Sequence, residues 1–296
     1  MFTFTVRRLL FAVPTLLAIS FIIFALLDLS PGDPLSDLPL TIPPEVRQQI
    51  RDAMGLDQPF LIRYMKWLQQ FFINEPLNIF EQITGITVGS GERMRVLSWA
   101  TRSPVVDLIV QRLPQTLWVV GLSYLFGVLI AIPIGVISAY RQYSWFDQIG
   151  TFISMVGYSV PTFFTGVLLI VVFSSYLQWF PSIYDTTLVV NSWDSFVLQV
   201  KQMFLPVLVL TLFNVSQISR FVRASMLDNL NMDYVRTARA KGLGVSSVLL
   251  HALRNAAIPI ATTVGAGIAM LIGGVVVTET VFAIPGVGRL VVDSVQ

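Results

Sequence analysis

Residues 116–139 read TLWVVGLSYLFGVLIAIPIGVISA, a run without a single charged side chain. About 20 apolar residues in a helix cross the ~30 Å hydrocarbon core of a membrane, so this run predicts a transmembrane helix. Comparable uncharged runs cover residues 9–27, 149–180, 203–219 and 256–278. The 296-residue chain is 54% hydrophobic and only 12% charged, about half the charged share of a soluble domain. The sequence therefore predicts an all-α polytopic membrane protein.

The run 149–180 is too long for one upright crossing, and Pro161 interrupts it, so it predicts either one tilted, kinked helix or a tight hairpin. Charge decides between them. With one helix and a cytoplasmic N-terminus, the inside segments hold nine basic residues against three acidic ones, as the positive-inside rule expects. A hairpin would place the most basic segment outside. We therefore expect five spans and an external C-terminus, with the short run 203–219 extended past Arg220 if that side chain snorkels.

Three regions follow from this topology. Residues 1–28 form the first span with a cytoplasmic N-terminus, and residues 29–115 form an external segment with a helix-like stretch at 44–72. Residues 116–296 form the transmembrane core, which contains a basic cytoplasmic segment at 220–255.

The cytoplasmic segment predicts two short helices joined at a glycine. Asp233 is placed to cap a helix over residues 234–241, and Gly242 to end it in a left-handed turn. Ser246 or Ser247 can cap a second helix over residues 248–255, before Pro259 opens the last span.

On the first of these helices Val235 and Ala238 share one side. Small side chains at Ala238 and Ala240 would let the helix enter a groove on a partner, and the basic residues are Arg236, Arg239 and Lys241. The alternative is a solvated loop that only sets topology.

The order of motifs resembles the permeases of ABC importers, and more narrowly those of the dipeptide, oligopeptide and nickel branch. The basic segment is similar to the EAA loop of that family. Further matches lie along nearly the whole chain. They are Pro31-Gly32-Asp33-Pro34, Gly55-Leu56-Asp57-Gln58-Pro59 with Tyr64 and Trp67, Arg112-Leu113-Pro114, Glu279-Thr280-Val281-Phe282, and Pro285-Gly286-Val287-Gly288-Arg289-Leu290.

Two features depart from the family pattern. Aligned on Gly242, the glutamate that gives the EAA motif its name falls on Arg236 and the first alanine on Thr237, as in the peptide branch. The family has six spans where this sequence predicts five, so we expect the native chain to continue past Gln296.

The resemblance implies a transport subunit whose energy comes from ATP hydrolysis by separate subunits. It implies coupling to an ATPase through Asp233, Arg236, Thr237, Ala238, Arg239, Ala240, Lys241 and Gly242. It also implies two ATPase subunits or domains that bind ATP and Mg, a homologous second permease, and an extracytoplasmic solute-binding protein that contacts the external segment 29–115. None of the three lysines lies in a Gly-Lys-Ser/Thr phosphate loop, so we expect no cofactor on this chain. The resemblance places the chain in the bacterial inner membrane, with lipid and no nucleic acid as partner.

Candidate pathway or gate residues are Pro161, Phe164, Glu279 and Phe282. A plain kink at Pro161 and a local hydrogen bond at Glu279 are the alternatives. His251, the only histidine, is a weak candidate metal ligand, and no metal site is expected. Glycines of the run 256–278 favour close helix packing.

Other functions remain open at this point. A secondary transporter or channel that works without an ATPase is the alternative, although the predicted spans lack mid-membrane ionisable groups. No nucleophile–base pair or carboxylate pair lies in the spans, and the chain has no cysteine, so we expect no catalytic residues. Di- or oligopeptides are the expected substrates, with glutathione and nickel chelates as alternatives within the branch.

Overall fold

The computed structural model describes residues 2–29, 43, 45, 48, 51, 56–88, 93, 95–98, 101, 103–271, 273 and 275–295. The motif at residues 31–34 lies outside this part of the chain, as do residues 44, 46, 47, 49, 50 and 52–55 of the predicted helical stretch 44–72. By its internal contacts the chain divides into two compact units, Met1–Leu108 and Ile109–Gln296.

The first unit begins with a long apolar helix. Helix α1, Phe2–Asp28, exposes nearly all of its side chains, as a helix surrounded by lipid would. The next described helices are α2, Phe60–Gln69, its continuation through a π-helical turn, Gln70–Asn74, and α3, Glu75–Thr84.

Aromatic side chains hold α2 against the second half of α1. The Tyr64 hydroxyl donates to the Leu17 carbonyl (3.1 Å) and lies 2.9 Å from the Ser20 hydroxyl. Arg63 and Asp28 form an ion pair at 2.5 Å. The rings that pack around Tyr64 are Phe21, Phe24 and Trp67. The part of the 29–115 segment in α2 therefore packs on the apolar helix itself.

A buried carboxylate ties α3 to the start of α4, Val105–Tyr140. Glu75 accepts from the guanidinium of Arg95 (3.0 Å) and from the backbone N–H of Val96 (3.0 Å). Arg95 also donates twice to Asp107, at 2.8 and 2.9 Å. Hydrogen bonding to Asp107 raises the pKa of Arg95 above its ordinary value, against the effect of burial, and Glu75 adds to the rise.

The second unit contains the rest of α4 and seven further described helices. They are α5, Trp145–Ser159; α6, Thr162–Leu169, with a π-helical turn at Ile170–Tyr176; α7, Trp193–Leu230; α8, Asp233–Ala240; α9, Val245–Met270; α10, Val276–Val281; and α11, Val287–Val295.

Helices α4 and α7 run side by side in the same direction. The Thr211 hydroxyl donates to the Ser123 carbonyl (3.3 Å) at one level. Further along both helices, a Cβ on Gly135 would meet Val222. Because α4 and α7 are parallel, the chain between them has to return from one end of the pair to the other.

The bent pair α5–α6 makes this return. Asp147 at the start of α5 pairs with Arg223 near the end of α7, whereas Tyr184, after α6, donates to Gln115 at the start of α4 (2.9 Å). The two helices meet at a bend of 100°, with Pro161 as the N-cap of α6. The predicted break at Pro161 is confirmed, and the bend is much sharper than the expected kink. A hairpin would have brought the chain back to its starting end.

The predicted count of five spans is not confirmed. Among the described residues, three helices are long and apolar enough to cross a membrane, in Thr3–Asp28, Val105–Tyr140 and Trp193–Leu230, and the bent pair can make a fourth. The run 256–278 is not one helix either, because α9 ends at Met270 and α10 begins at Val276. Pro259 lies inside α9 rather than at its start.

Two apolar clusters fill the second unit, one towards each end. One joins α4, α7, α8 and α9 around side chains such as Val222 and Met226, which are fully buried. The other joins α4 and α7 to the segment around Phe282 and Ile284. These clusters set the positions of the two candidate sites.

Candidate functional site

Helix α8 lies between the long helices α7 and α9 and starts one residue earlier than the sequence predicts. The Met232 carbonyl already accepts the N–H groups of Val235 (3.0 Å) and Arg236 (3.2 Å). Met232 is therefore the N-cap, and no side chain caps the helix. The prediction that Asp233 caps the helix is wrong: Asp233 is its first residue, where its negative charge still favours the helix dipole. Its exposed pair with Arg236 (3.5 Å) adds little stability.

The C-terminus of α8 closes as the sequence predicts. Gly242 has φ +73, the left-handed conformation that glycine adopts without steric cost. Its N–H donates to the Arg239 carbonyl (2.9 Å), and the Leu243 N–H donates to the Ala238 carbonyl (3.2 Å). This pair of bonds is a Schellman motif, which fixes the angle at which the chain leaves the helix.

One face of α8 is buried in the chain's own core. Val235 is fully buried and Ala238 nearly so, among Leu230, Val248 and Ala252. Ala238 therefore packs inward, and its small side chain does not contribute to a close approach of the helix to a partner, contrary to what the sequence predicts. Ala240 is exposed.

The other face of α8 is basic and exposed to solvent. Arg236, Thr237, Arg239 and Lys241 are all exposed. Next to them, Leu243 on the connecting turn and Val245 at the start of α9 expose 42% and 51% of their surface. A rigid helix with cations flanked by apolar side chains is suited to an acidic groove with apolar walls.

The junction from α7 into α8 is braced. The Tyr234 hydroxyl donates to the Asn229 side-chain oxygen (2.6 Å), and the Met232 N–H donates to the Asn229 carbonyl (3.2 Å). Helix α8 is therefore fixed to α7 by these bonds and to α9 by the packing of its buried face.

Helix α9 differs from the predicted second short helix. It starts at Val245 with Gly244 as N-cap, so neither Ser246 nor Ser247 caps it. It then continues without interruption past Asn255, which makes α8 and α9 a helix–turn–long helix.

An ion pair beside α8 was not found from the sequence. Arg223 donates twice to Asp147, from Nε (2.6 Å) and Nη2 (2.7 Å), and the Asp147 side chain is only 4% exposed. Ser144 caps α5 by accepting the Asp147 N–H (3.3 Å), and the Tyr143 N–H donates to the same carboxylate (3.0 Å). The two partners lie 76 residues apart, so no local pattern signals them.

At the opposite end of the unit, Glu279 is completely buried. Its Oε1 accepts from the Thr116 hydroxyl (2.8 Å) and its Oε2 from the Arg289 N–H (2.9 Å). Thr116 in turn accepts the Val287 N–H (2.8 Å). A Cβ on Gly286 would overlap the Glu279 carboxylate, so that carboxylate is enclosed by backbone. Of the two interpretations of Glu279, the geometry favours a hydrogen-bonding role within the fold, and its side-chain partner Thr116 is distant in the sequence.

Of the other pathway candidates, the structure packs Phe282 against α6 and leaves Phe164 exposed. Phe282 is buried, and its ring lies over Gly166 of α6, the helix that Pro161 starts. Phe164 exposes 55% of its surface. Their transport role stays a prediction. His251 is exposed, and the described residues contain no group of three metal-ligating side chains.

A helical chain with several membrane-capable helices defines a multi-pass membrane protein. The comparison with known families agrees. Residues 131–296 match the binding-protein-dependent transport system inner membrane component, and residues 1–120 match the N-terminal part of such membrane components. The chain belongs to this family, which makes it a permease subunit of an ABC importer and not an enzyme.

Curated relatives match over nearly the full chain. The oligopeptide transport system permease protein AppB of Bacillus subtilis is 37% identical across 99% of this chain and 87% of its own length. The glutathione transport system permease protein GsiC of Escherichia coli K12 is 36% identical across 100% of this chain and 87% of its own length. The predicted family and the all-α fold of a type I importer transmembrane domain are confirmed.

Proposed function

We propose that this chain is one of two homologous permease subunits that form the pathway of an ATP-driven importer for di- or oligopeptides. Two ATPase subunits bind ATP and Mg on the cytoplasmic side, and a solute-binding protein delivers the substrate outside. The similarity to an oligopeptide permease and a glutathione permease supports a peptide-like substrate.

The observation that carries this proposal is the exposed basic face of α8 on a rigid support. Arg236, Arg239 and Lys241 project from a helix that is braced to α7 and packed on α9. ATP-driven closure of two ATPases would pull two such helices together and turn the attached long helices as rigid bodies. The basic end then lies in the cytoplasm, as does the N-terminus, in accord with the excess of basic residues in these segments.

The docking can be tested directly because the chain contains no cysteine. Arg239→Cys should crosslink to the ATPase that copurifies with the full-length chain. The matched control is Val189→Cys, an exposed residue in the loop before α7, which should not. Crosslinking of Val189→Cys but not of Arg239→Cys would show that the loop before α7, and not α8, lies on the cytoplasmic side of the membrane.

Transport is tested in proteoliposomes that contain the whole complex. Uptake of a labelled dipeptide should require both ATP and the binding protein. Uptake by the purified chain alone, driven by a proton or sodium gradient, would contradict the proposal that ATP hydrolysis by partner subunits drives transport.

A further inference from the structure

Two arginines one turn apart on α7 have opposite environments. Arg223 is neutralised by the bidentate pair with Asp147. Arg220 makes no hydrogen bond and no ion pair within the described residues, and its Nε is buried without an acceptor. The Arg220 side chain is half-buried, so its positively charged guanidinium is held in place while most of its N–H donors have no acceptor in the described part of the chain.

The Arg220 side chain points away from α8 and lies on the half-exposed ring of Tyr158. Its guanidinium lies over the ring of Tyr158, 4.5 Å from the centroid, and that ring stacks on Phe213 at 6.0 Å. Phe213 precedes Arg220 by two helical turns, on the side away from α8. The helix does extend past Arg220, as far as Leu230, but by this stacking and not by the side chain reaching towards the basic end. The stacking holds the cation at the level of the uncharged run 203–219.

A second polar side chain, beside the exposed ring of Phe221, lies on α7 at this level. Gln217 lies one turn from Arg220, is exposed, and makes no hydrogen bond with a described residue. The exposed side of α4 is different, because its side chains are apolar, as lipid contact requires. They include Leu125, Phe126, Leu129 and Ile130. An arginine and an amide facing hydrocarbon are unfavourable, so the two helix faces have different surroundings.

We propose that the Gln217–Arg220 face of α7, with Tyr158, lines the water-filled pathway, and that Arg220 is a subsite for the carboxylate of the passing substrate. This deepens the proposed function, since it assigns the free C-terminal carboxylate of a peptide to a named cation. A guanidinium with unused donors on an aromatic platform binds a carboxylate through charge-assisted hydrogen bonds. Its cation–π stacking orients it without neutralising it.

The absence of cysteine provides a test that needs no substrate. In the assembled transporter, Gln217→Cys should react with membrane-impermeant methanethiosulfonates, whereas Leu129→Cys on the apolar side of α4 should not. At Gln217→Cys we compare an anionic sulfonate reagent with a cationic trimethylammonium reagent. Adding Arg220→Ala should lower the anionic-to-cationic rate ratio about threefold or more, because residues three apart on a helix lie within roughly 6 Å. Arg141→Ala, which removes an exposed base elsewhere, should leave the ratio unchanged.

Either of two results overturns the proposal. If Gln217→Cys is as unreactive as Leu129→Cys, lipid or the second permease covers this face. If Arg220→Ala leaves the ratio unchanged, the cation does not act on ions in the pathway.

The carboxylate itself is tested by uptake of a dipeptide and of its C-terminal amide. Arg220→Ala should slow uptake of the free carboxylate form by about tenfold more than the amide, and Arg220→Lys should restore part of that difference. Equal slowing of both forms overturns the carboxylate subsite. If the wild-type complex takes up neither form while the thiol results hold, the peptide substrate of the proposed function fails and the anion site stands.

Discussion

The two ends of the second unit differ in the exposure of their charged side chains. At one end, α8 buries Val235 and Ala238 and exposes its bases. At the other, Glu279 is wholly enclosed and bonded to Thr116 and to the backbone of Arg289. An exposed charge on a rigid support is available to another protein, whereas an enclosed and fully bonded charge fixes the chain to itself.

Each end also depends on a glycine, for a different reason. Gly242 lies in open space but needs a positive φ. At Gly286 a side chain would strike the Glu279 carboxylate. The same residue type thus provides a turn at one end and clearance at the other.

The largest expected effect is at the enclosed end. Glu279→Ala removes the acceptor for two buried donors and leaves a cavity, which should destabilise the fold by about 3 kcal/mol. Thermal unfolding of the purified complex measures this. Glu279→Gln keeps the shape and should cost about 1 kcal/mol. A Glu279→Gln protein that folds normally but transports nothing would contradict the purely structural role of Glu279 and indicate that this carboxylate acts in the pathway.

The Asp147–Arg223 pair tests how firmly the basic end is anchored. Asp147→Asn weakens two charge-assisted bonds to Arg223 and should destabilise the protein by about 2 kcal/mol. A double-mutant cycle with Arg223→Gln should give a coupling energy of about 1 kcal/mol or more. Additive effects of the two substitutions would show that α5 is not held to α7 by this pair.

At the turn after α8, Gly242→Val forces a branched residue into a left-handed conformation and should cost about 1–2 kcal/mol. The reoriented α8 should also lose the coupling of ATP hydrolysis to uptake, while membrane insertion stays normal. Gly244→Val is the matched control, since Gly244 is equally unobstructed but has φ −64. ATPase activity and uptake are measured together, and normal uptake with Gly242→Val would reject this turn as the coupling element.

The smallest effect is expected from charge reversal on the exposed face. Arg239→Glu should change stability by no more than about 0.5 kcal/mol, because exposed pairs and charges contribute little. It should reduce ATP-driven uptake less than Gly242→Val does, as measured in the same proteoliposomes. A larger loss of uptake from Arg239→Glu than from Gly242→Val would show that coupling depends on the positive charge of α8 more than on the orientation of the helix.

Local patterns predicted much of this protein. The uncharged runs predicted the long helices, Pro161 predicted the break between α5 and α6, and Gly242 predicted the left-handed turn. Each of these depends on a few adjacent residues. The cap predictions at Asp233 and at Ser246 or Ser247 were wrong because backbone groups of Met232 and Gly244 already start α8 and α9.

The sequence by itself determined that the chain is helical and apolar, that it breaks at Pro161 and turns at Gly242, and that its bases gather next to α8, because these properties depend on composition and near-neighbour sterics. Only the tertiary structure decided which charges are neutralised. Glu279 and Thr116 lie 163 residues apart, and Asp147 and Arg223 lie 76 apart. Arg220 and Arg223 look alike in the sequence, and packing against Tyr158 or Asp147 makes one available and the other fixed. Such pairings arise from how helices pack, and no local pattern encodes them.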